Sequence, residues 1–194
     1  MYFVEAPSTM NEMLMANYLF KNSSDAQFKR WVIGSIVSRT YYHNMVTHLL
    51  EAAYQREVYK KVDDGESLTA PLLNRIMLDV YSQFFGESVK FTKGAELTWM
   101  RQPHYYMGLY SYTYSAGLTI GTVMSQRIQQ EGQPAVNDWL TTLKAGGSQS
   151  PAELAQLAGI DISTDQPLKA TIAYIGNLVD ELEQLTDEIE AEDQ

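Results

Sequence analysis

The sequence contains no cysteine. Disulfide bonds and thiolate metal sites are therefore excluded. A chain without disulfides is compatible with a reducing compartment, and we expect the protein in the cytoplasm.

Basic residues are scarce, because 14 Lys and Arg face 24 Asp and Glu, which gives a formal net charge of −10 and a pI near 4.7. Like charge repels phosphates, so this composition argues against binding to nucleic acid or anionic lipid. No stretch approaches the ~20 apolar residues that span a bilayer, and the first residues lack the pattern of a signal peptide. We therefore expect a soluble protein without a nucleic-acid or membrane partner.

No segment longer than four residues alternates convincingly between apolar and polar side chains, which argues against a sheet. Apolar side chains instead recur at three- and four-residue steps. With 194 residues and 45% hydrophobic content, the chain predicts a single all-α domain over residues 1–194, a bundle of about seven helices. The predicted helices cover residues 6–20, 26–62 with a kink near Gly34, 68–86, 104–132, 133–147, 150–159 and 167–188.

Two carboxylates open the chain, in the stretch "YFVEAPSTMNEMLM". Glu5 and Glu12 are seven residues apart, which is two helical turns, so both project from one face. A carboxylate among apolar neighbours is costly unless it binds a metal or pairs with a donor. The alternative is a fraying helix start that leaves Glu5 solvated and Glu12 on an exposed face.

A second cluster lies in "RQPHYYMGLYSYTYSAG", where His104 and five tyrosines fall within eleven residues. A phenol combines an apolar ring with a hydrogen-bonding tip, so these side chains can line a wet cleft or close the edge of a core. A helix through this segment predicts one stripe of tyrosines and a separate pair two turns apart. The stripe is Tyr106, Tyr110 and Tyr114, and the pair is Tyr105 and Tyr112.

Other polar residues predict less. His43 and His48 are five apart, which is not the i,i+4 spacing of paired ligands on one helical face, so we expect structural or surface roles. The acidic positions from Glu51 to Glu57 are expected on a solvated face.

Taken together, "FVEAPSTMNE" and "PHYYMGLYSYTYSAGL" resemble two landmarks of the oligopeptidase F branch of the thimet-type zinc metallopeptidases. The later "GGSQSPAELAQLAGIDIS" and "ATIAYIGNLVDEL" also resemble the C-terminal end of that branch. The similarity extends over essentially the whole chain.

The resemblance implies roles for individual residues. Glu5 matches the glutamate that completes a zinc site with two histidines of an H-E-x-x-H helix, and Glu12 matches a residue that supports those histidines. His104 and Tyr112 match residues that bind substrate and stabilise the oxyanion formed in peptide hydrolysis. Further substrate-binding candidates are Tyr105, Tyr106 and Tyr110.

The sequence departs from the family pattern in one respect, since no H-E-x-x-H occurs in its 194 residues. We therefore expect the C-terminal portion of a zinc endopeptidase for short peptides, starting at Met1 through gene truncation, internal initiation or choice of the expressed segment. The chain alone is expected to bind catalytic zinc weakly or not at all and to be inactive. The alternatives are a helical module that self-associates or complements a separate N-terminal half, and a generic helical domain.

Overall fold

The computed structural model describes residues 2–192, and this part of the chain is all-α, without a strand. The all-α prediction is therefore confirmed. No helix in this range is both long and apolar enough to cross a membrane. The α-helices are α1 (Ala6–Lys21), α2 (Ala26–Ser35), α3 (His48–Asp63), α4 (Ala70–Phe85), α5 (Tyr112–Glu131), α6 (Gln133–Ala145), α7 (Pro151–Leu157) and α8 (Gln166–Glu192).

The long helix predicted over residues 26–62 is present in a modified form. Between α2 and α3 the helix continues in two π-helical stretches, Ile36–Tyr41 and His43–Thr47. The change begins two residues after Gly34, where a kink was expected. Wider turns shift the register of the side chains that follow, and such insertions are frequent at functional sites.

Helix α5 is the centre of the bundle, since it contacts α1, α3, α6 and α8. One core cluster lies between α1, α5 and α6 and includes Met10, Ile120 and Trp139. A second cluster lies between α3 and α4 and includes Tyr54 and Met77. Burial of these side chains at about 25 cal/mol per Å² of apolar surface is the main force that holds the helices together.

Two glycines on α5 allow α1 to approach closely. A Cβ atom on Gly117 would lie 2.6 Å from the backbone carbon of Glu5, and one on Gly121 would lie 2.9 Å from Oγ1 of Thr9. Real Cβ atoms do not approach other atoms this closely, so only glycine fits at this depth of packing. This contact fixes the start of α1, and Glu5 with it, against α5.

The helix predicted from His104 is wrong over its first part. Pro103–Tyr106 forms a 3₁₀ turn, and α5 begins only at Tyr112. The reason is local, because Gly108 and Leu109 both have positive φ values, 56° and 60°, which end a right-handed helix. Tyr106, Tyr110 and Tyr114 therefore do not form a stripe on one helix, and Tyr105 and Tyr112 are not two helical turns apart. The segment between Gln102 and Ser111 is a folded loop.

The C-terminal part follows the local sequence signals. Ser150 caps α7 by accepting from the backbone N–H of Glu153, and the backbone N–H of Ser150 donates to the carboxylate of Glu153, which completes a capping box. Pro151 occupies the first turn, where its missing N–H costs nothing. The final helix runs from Gln166 to Glu192, as the apolar repeat predicts but slightly longer.

Candidate functional site

Glu5 lies at the N-cap position of α1 and is half-buried. Its Oε1 accepts a hydrogen bond from the phenol of Tyr110, and its Oε2 accepts one from Oγ of Ser8 at 3.1 Å. The first carboxylate of the chain therefore faces the tyrosine loop, whereas Glu12 lies on an exposed face, as the alternative expects. No salt bridge to Glu5 forms within residues 2–192.

His104 lies beside Tyr110 and Tyr114 in the same region. Its ring stacks on Tyr110 with centroids 5.8 Å apart, and its Nε2 is 3.3 Å from the hydroxyl of Tyr114. Its backbone carbonyl accepts a hydrogen bond from Nε2 of Gln55 at 2.8 Å, which attaches the loop to α3. Nδ1 of His104 is buried and has no hydrogen-bond partner in the described part of the chain.

Both neighbouring phenols are hydrogen-bond donors at neutral pH. The hydrogen bond to Glu5 raises the pKa of Tyr110, because ionisation would place two negative charges together. Burial, with the charge of Glu5 as a further cause, raises the pKa of Tyr114. The site therefore presents protonated donors next to a carboxylate and an imidazole.

The structure adds a histidine that the sequence reasoning did not connect to this site. His48 is buried, and its ring stacks on Tyr114 at 4.0 Å with an interplanar angle of 15°. Its ring centroid is also 4.3 Å from that of His43. On an α-helix, residues five apart such as His43 and His48 do not share a face. The wider π-helical turn brings these two onto one side.

His43 itself lies on the exposed side of this pair. Partial burial, with the neighbouring His48 as a further cause, lowers the pKa of His43, because both disfavour a positive charge on its ring.

Glu51 is a clear correction, since it was expected on a solvated face. Its exposed fraction is only 3%. It accepts hydrogen bonds from Nδ1 of His48 at 2.7 Å, from Oγ of Ser111 at 2.8 Å and from Nε2 of Gln102. Local sequence does not predict this burial, because the donors Gln102 and Ser111 lie 51 and 60 positions away.

The remaining predicted residues occupy different surroundings. Glu12 is exposed and accepts a hydrogen bond from Oγ1 of Thr40. Tyr105 is buried in the core between α3 and α4, edge-on to Tyr54. Tyr106 is 68% exposed.

Tyr112 lies outside the group of Glu5, His104, Tyr110 and Tyr114. The centroid of its ring is 5.9 Å from that of Tyr2, and the ring lines two open hollows beside Leu49. The structure thus brings Tyr110 and Tyr114 to Glu5, and the role predicted for Tyr112 stays a prediction.

Comparison with known proteins adds the family. The sequence matches Peptidase family M3 over residues 1–174. The chain belongs to peptidase family M3. This M3 chain is 30% identical over 184 residues to oligopeptidase PepF of Bacillus subtilis, a match that covers 95% of this chain and 27% of the relative. It is 24% identical to an oligoendopeptidase F homolog of Borreliella burgdorferi, across 93% of this chain and 30% of that protein.

The fold of this M3 chain also has a solved counterpart. The crystal structure of oligoendopeptidase-F from Enterococcus faecium superposes with a TM-score of 0.86 at 23% identity, over 96% of this chain and 36% of that one. This likeness shows the fold. The M3 chain spans about a third or less of the length of the two curated relatives, which bounds what its own residues can do alone.

Proposed function

We propose that this M3 chain forms the C-terminal part of the catalytic domain of an oligoendopeptidase F-like zinc metalloendopeptidase that cleaves short peptides. The observation that carries the proposal is the grouping of Glu5 with Tyr110 and His104. Tyr110, which bonds to Glu5, lies 105 positions after it in sequence. The names of the relatives, an oligopeptidase and an oligoendopeptidase F, support the substrate class.

Glu5 fits the role of one zinc ligand. Its carboxylate is half-buried and hydrogen-bonded only to neutral hydroxyls, so it can offer an oxygen to a cation. Residues 2–192 contain no group of three His, Cys, Asp or Glu arranged to hold a metal ion, so the other ligands must come from elsewhere. When bound, zinc would supply Lewis-acid activation of water and of the peptide carbonyl.

The chain's own residues would bind and orient the peptide. The ring of His104 is partly exposed beside the hydroxyl of Tyr114, which is a protonated donor, and the phenol of Tyr110 donates to Glu5. Donors fixed beside the carbonyl stabilise the negative charge that develops on its oxygen. Tyr112 remains a further candidate for this role and the exposed Tyr106 for substrate contacts, whereas Tyr105 is buried in the core between α3 and α4. Glu12 would orient a histidine ligand.

The 194-residue chain by itself is expected to be inactive. Zinc hydrolases of this kind need three protein ligands and a general base, and the chain offers Glu5 as one ligand and no base in an H-E-x-x-H motif. A zinc-dependent, chelator-sensitive peptidase activity of the purified chain would contradict this expectation.

Co-expression tests the proposal directly. The chain would be produced with an N-terminal segment of an oligoendopeptidase F that carries H-E-x-x-H, and hydrolysis of a fluorogenic peptide would be measured with and without a chelator. Restored hydrolysis that is lost in Glu5→Gln supports the proposal, with Glu188→Gln as the matched control because that carboxylate is exposed on α8, outside the site. Restored hydrolysis that persists in Glu5→Gln argues against Glu5 as a ligand.

A second candidate function is a binding or assembly module, and an exposed apolar groove between α1 and α2 favours it. Trp31 is 61% exposed and Met15 58% exposed on its walls, and the groove has a volume of about 470 Å³. Large exposed apolar patches mark interaction sites. The expected occupant is a second copy of the chain.

Sedimentation at several protein concentrations tests self-association. Trp31→Lys should abolish a concentration-dependent dimer, whereas Phe84→Lys, an exposed aromatic on α4 outside the groove, should not. Self-association combined with failure of the co-expression assay would favour the module over the split enzyme.

A further inference from the structure

The loop that carries His104 and Tyr110 is held at both of its ends by one carboxylate. Gln102, just before the loop, donates to Oε1 of Glu51, and Ser111, just after it, donates to Oε2 at 2.8 Å. Both contacts come from α3, which packs against the loop. Fixing the two ends of a segment removes most of its conformational freedom.

The same carboxylate also orients a ring of the site. His48 donates from Nδ1 to Oε2 of Glu51 at 2.7 Å, so that nitrogen carries the hydrogen. The ring of His48 then stacks on Tyr114, whose hydroxyl lies 3.3 Å from Nε2 of His104. A chain of contacts therefore leads from Glu51 to the imidazole of His104.

In the part of the chain that the structure describes, three hydrogen-bond donors, and no lysine or arginine, hold the buried carboxylate of Glu51. Within residues 2–192 no lysine or arginine forms an ion pair with Glu51, and three neutral or imidazole donors satisfy its oxygens instead. Burial alone would disfavour its charge, yet the hydrogen bonds from His48 and Ser111 outweigh burial and lower the pKa of Glu51. One turn further along α3, the buried Gln55 donates to the carbonyl of His104 at 2.8 Å.

We propose that Glu51 is a positioning residue for the substrate-binding loop: its carboxylate fixes Gln102, Ser111 and His48 so that His104 and Tyr110 face Glu5. That the loop binds substrate rests on the proposed function, whereas the contacts of Glu51 with the loop are independent of it. Gln55 assists by holding the loop backbone at His104.

Two NMR measurements on the 194-residue chain test the positioning. In the wild type, imidazole ¹⁵N spectra should show His48 with hydrogen on Nδ1, and Glu51→Gln should lose this signature because the amide no longer offers two acceptor oxygens. Amide hydrogen exchange at Met107 and Tyr110, whose N–H groups bond within the loop, should accelerate about tenfold in Glu51→Gln. Amides of α4 and α8 should not change.

Glu57→Gln is the matched control, since Glu57 lies on the same helix and pairs only with Arg56 and Lys60 at the surface. It should leave both readouts unchanged. A folded Glu51→Gln variant with unaltered loop exchange and an unaltered His48 spectrum would overturn the proposal.

Single-donor variants keep the test informative if Glu51→Gln does not fold. Gln102→Ala and Ser111→Ala each release one end of the loop, and each should accelerate exchange at Met107 or Tyr110. Unchanged exchange in both would refute the clamp.

An activity measurement separates this proposal from the proposed function. In a reassembled active enzyme, Glu51→Gln should lower kcat/KM by about tenfold or more, and Glu57→Gln should not. If no hydrolysis is ever restored, the proposed function fails, while the exchange and imidazole measurements still decide whether Glu51 positions the loop.

Discussion

The phenol of Tyr110 donates a hydrogen bond to the carboxylate of Glu5, 105 positions earlier in the chain. This contact joins the start of α1 to the loop before α5, and His104 stacks on the same phenol. The candidate site therefore arises where the first helix meets the tyrosine loop, and Tyr110→Phe, Gly117→Ala and Glu51→Gln test how that meeting is maintained.

Tyr110→Phe removes the donor to Glu5 and keeps the ring. We expect the free energy of unfolding to fall by about 0.5–1.5 kcal/mol, because the carboxylate loses a charge-assisted hydrogen bond but remains partly accessible to water. Urea unfolding followed by circular dichroism measures the change. Tyr106→Phe is the control, since that side chain is mostly exposed, and an equal loss in both variants would contradict the prediction.

Gly117→Ala should separate α1 from α5. The new Cβ would lie 2.6 Å from backbone of Glu5, so the helices must shift, at a cost of about 1–3 kcal/mol in the free energy of unfolding. Gly176→Ala is a matched change in α8 with no atom within 4 Å, and it should stabilise by about 0.5–1 kcal/mol through helix propensity. Chemical denaturation of both variants measures the change in the free energy of unfolding. A change of the same sign in both would be inconsistent with the close approach at Gly117.

Ser150→Ala removes the cap of α7 and should cost about 1 kcal/mol, because the backbone N–H of Glu153 loses its acceptor. Ser148→Ala is a change two residues earlier at an exposed position, where Oγ bonds only to the carbonyl of Ala145. Its effect should stay within about 0.5 kcal/mol. Thermal unfolding of the two variants separates capping from the general loss of a hydroxyl.

Acid should destabilise the fold partly through Glu51. Its pKa is lowered in the folded state, so its stabilising contribution is complete above the ordinary value of 4.5 and is lost as the pH falls through the lower folded value. We expect the loss of unfolding free energy between about pH 5 and about pH 3 to be smaller in Glu51→Gln than in the wild type.

The titratable groups near Glu51 are His43, His48, His104, Tyr105 and Tyr114, and all of them are present in both variants. Glu188→Gln, on the exposed face of α8, serves as the control. A wild-type pH dependence retained in full by Glu51→Gln would show that other carboxylates cause it.

Much of the helical framework could be predicted from local sequence. Apolar side chains at three- and four-residue steps predict α4 and α8, and the pair of Ser150 and Glu153 predicts the start of α7. These signals are reliable because they depend on residues only a few positions apart. Local signals failed at the tyrosine loop, where the positive φ of Leu109 has no signature in a residue of that type.

The sequence by itself determined that the protein is helical and that Glu5 and His104 are chemically suited to one site. Only the tertiary structure decided that Tyr110 and Tyr114 reach that site, and that Glu51 is buried beneath it. The reason is physical: the burial of Glu51 is tolerated only because donors from His48, Gln102 and Ser111 converge on it, and that convergence exists once α3 and α5 have packed together.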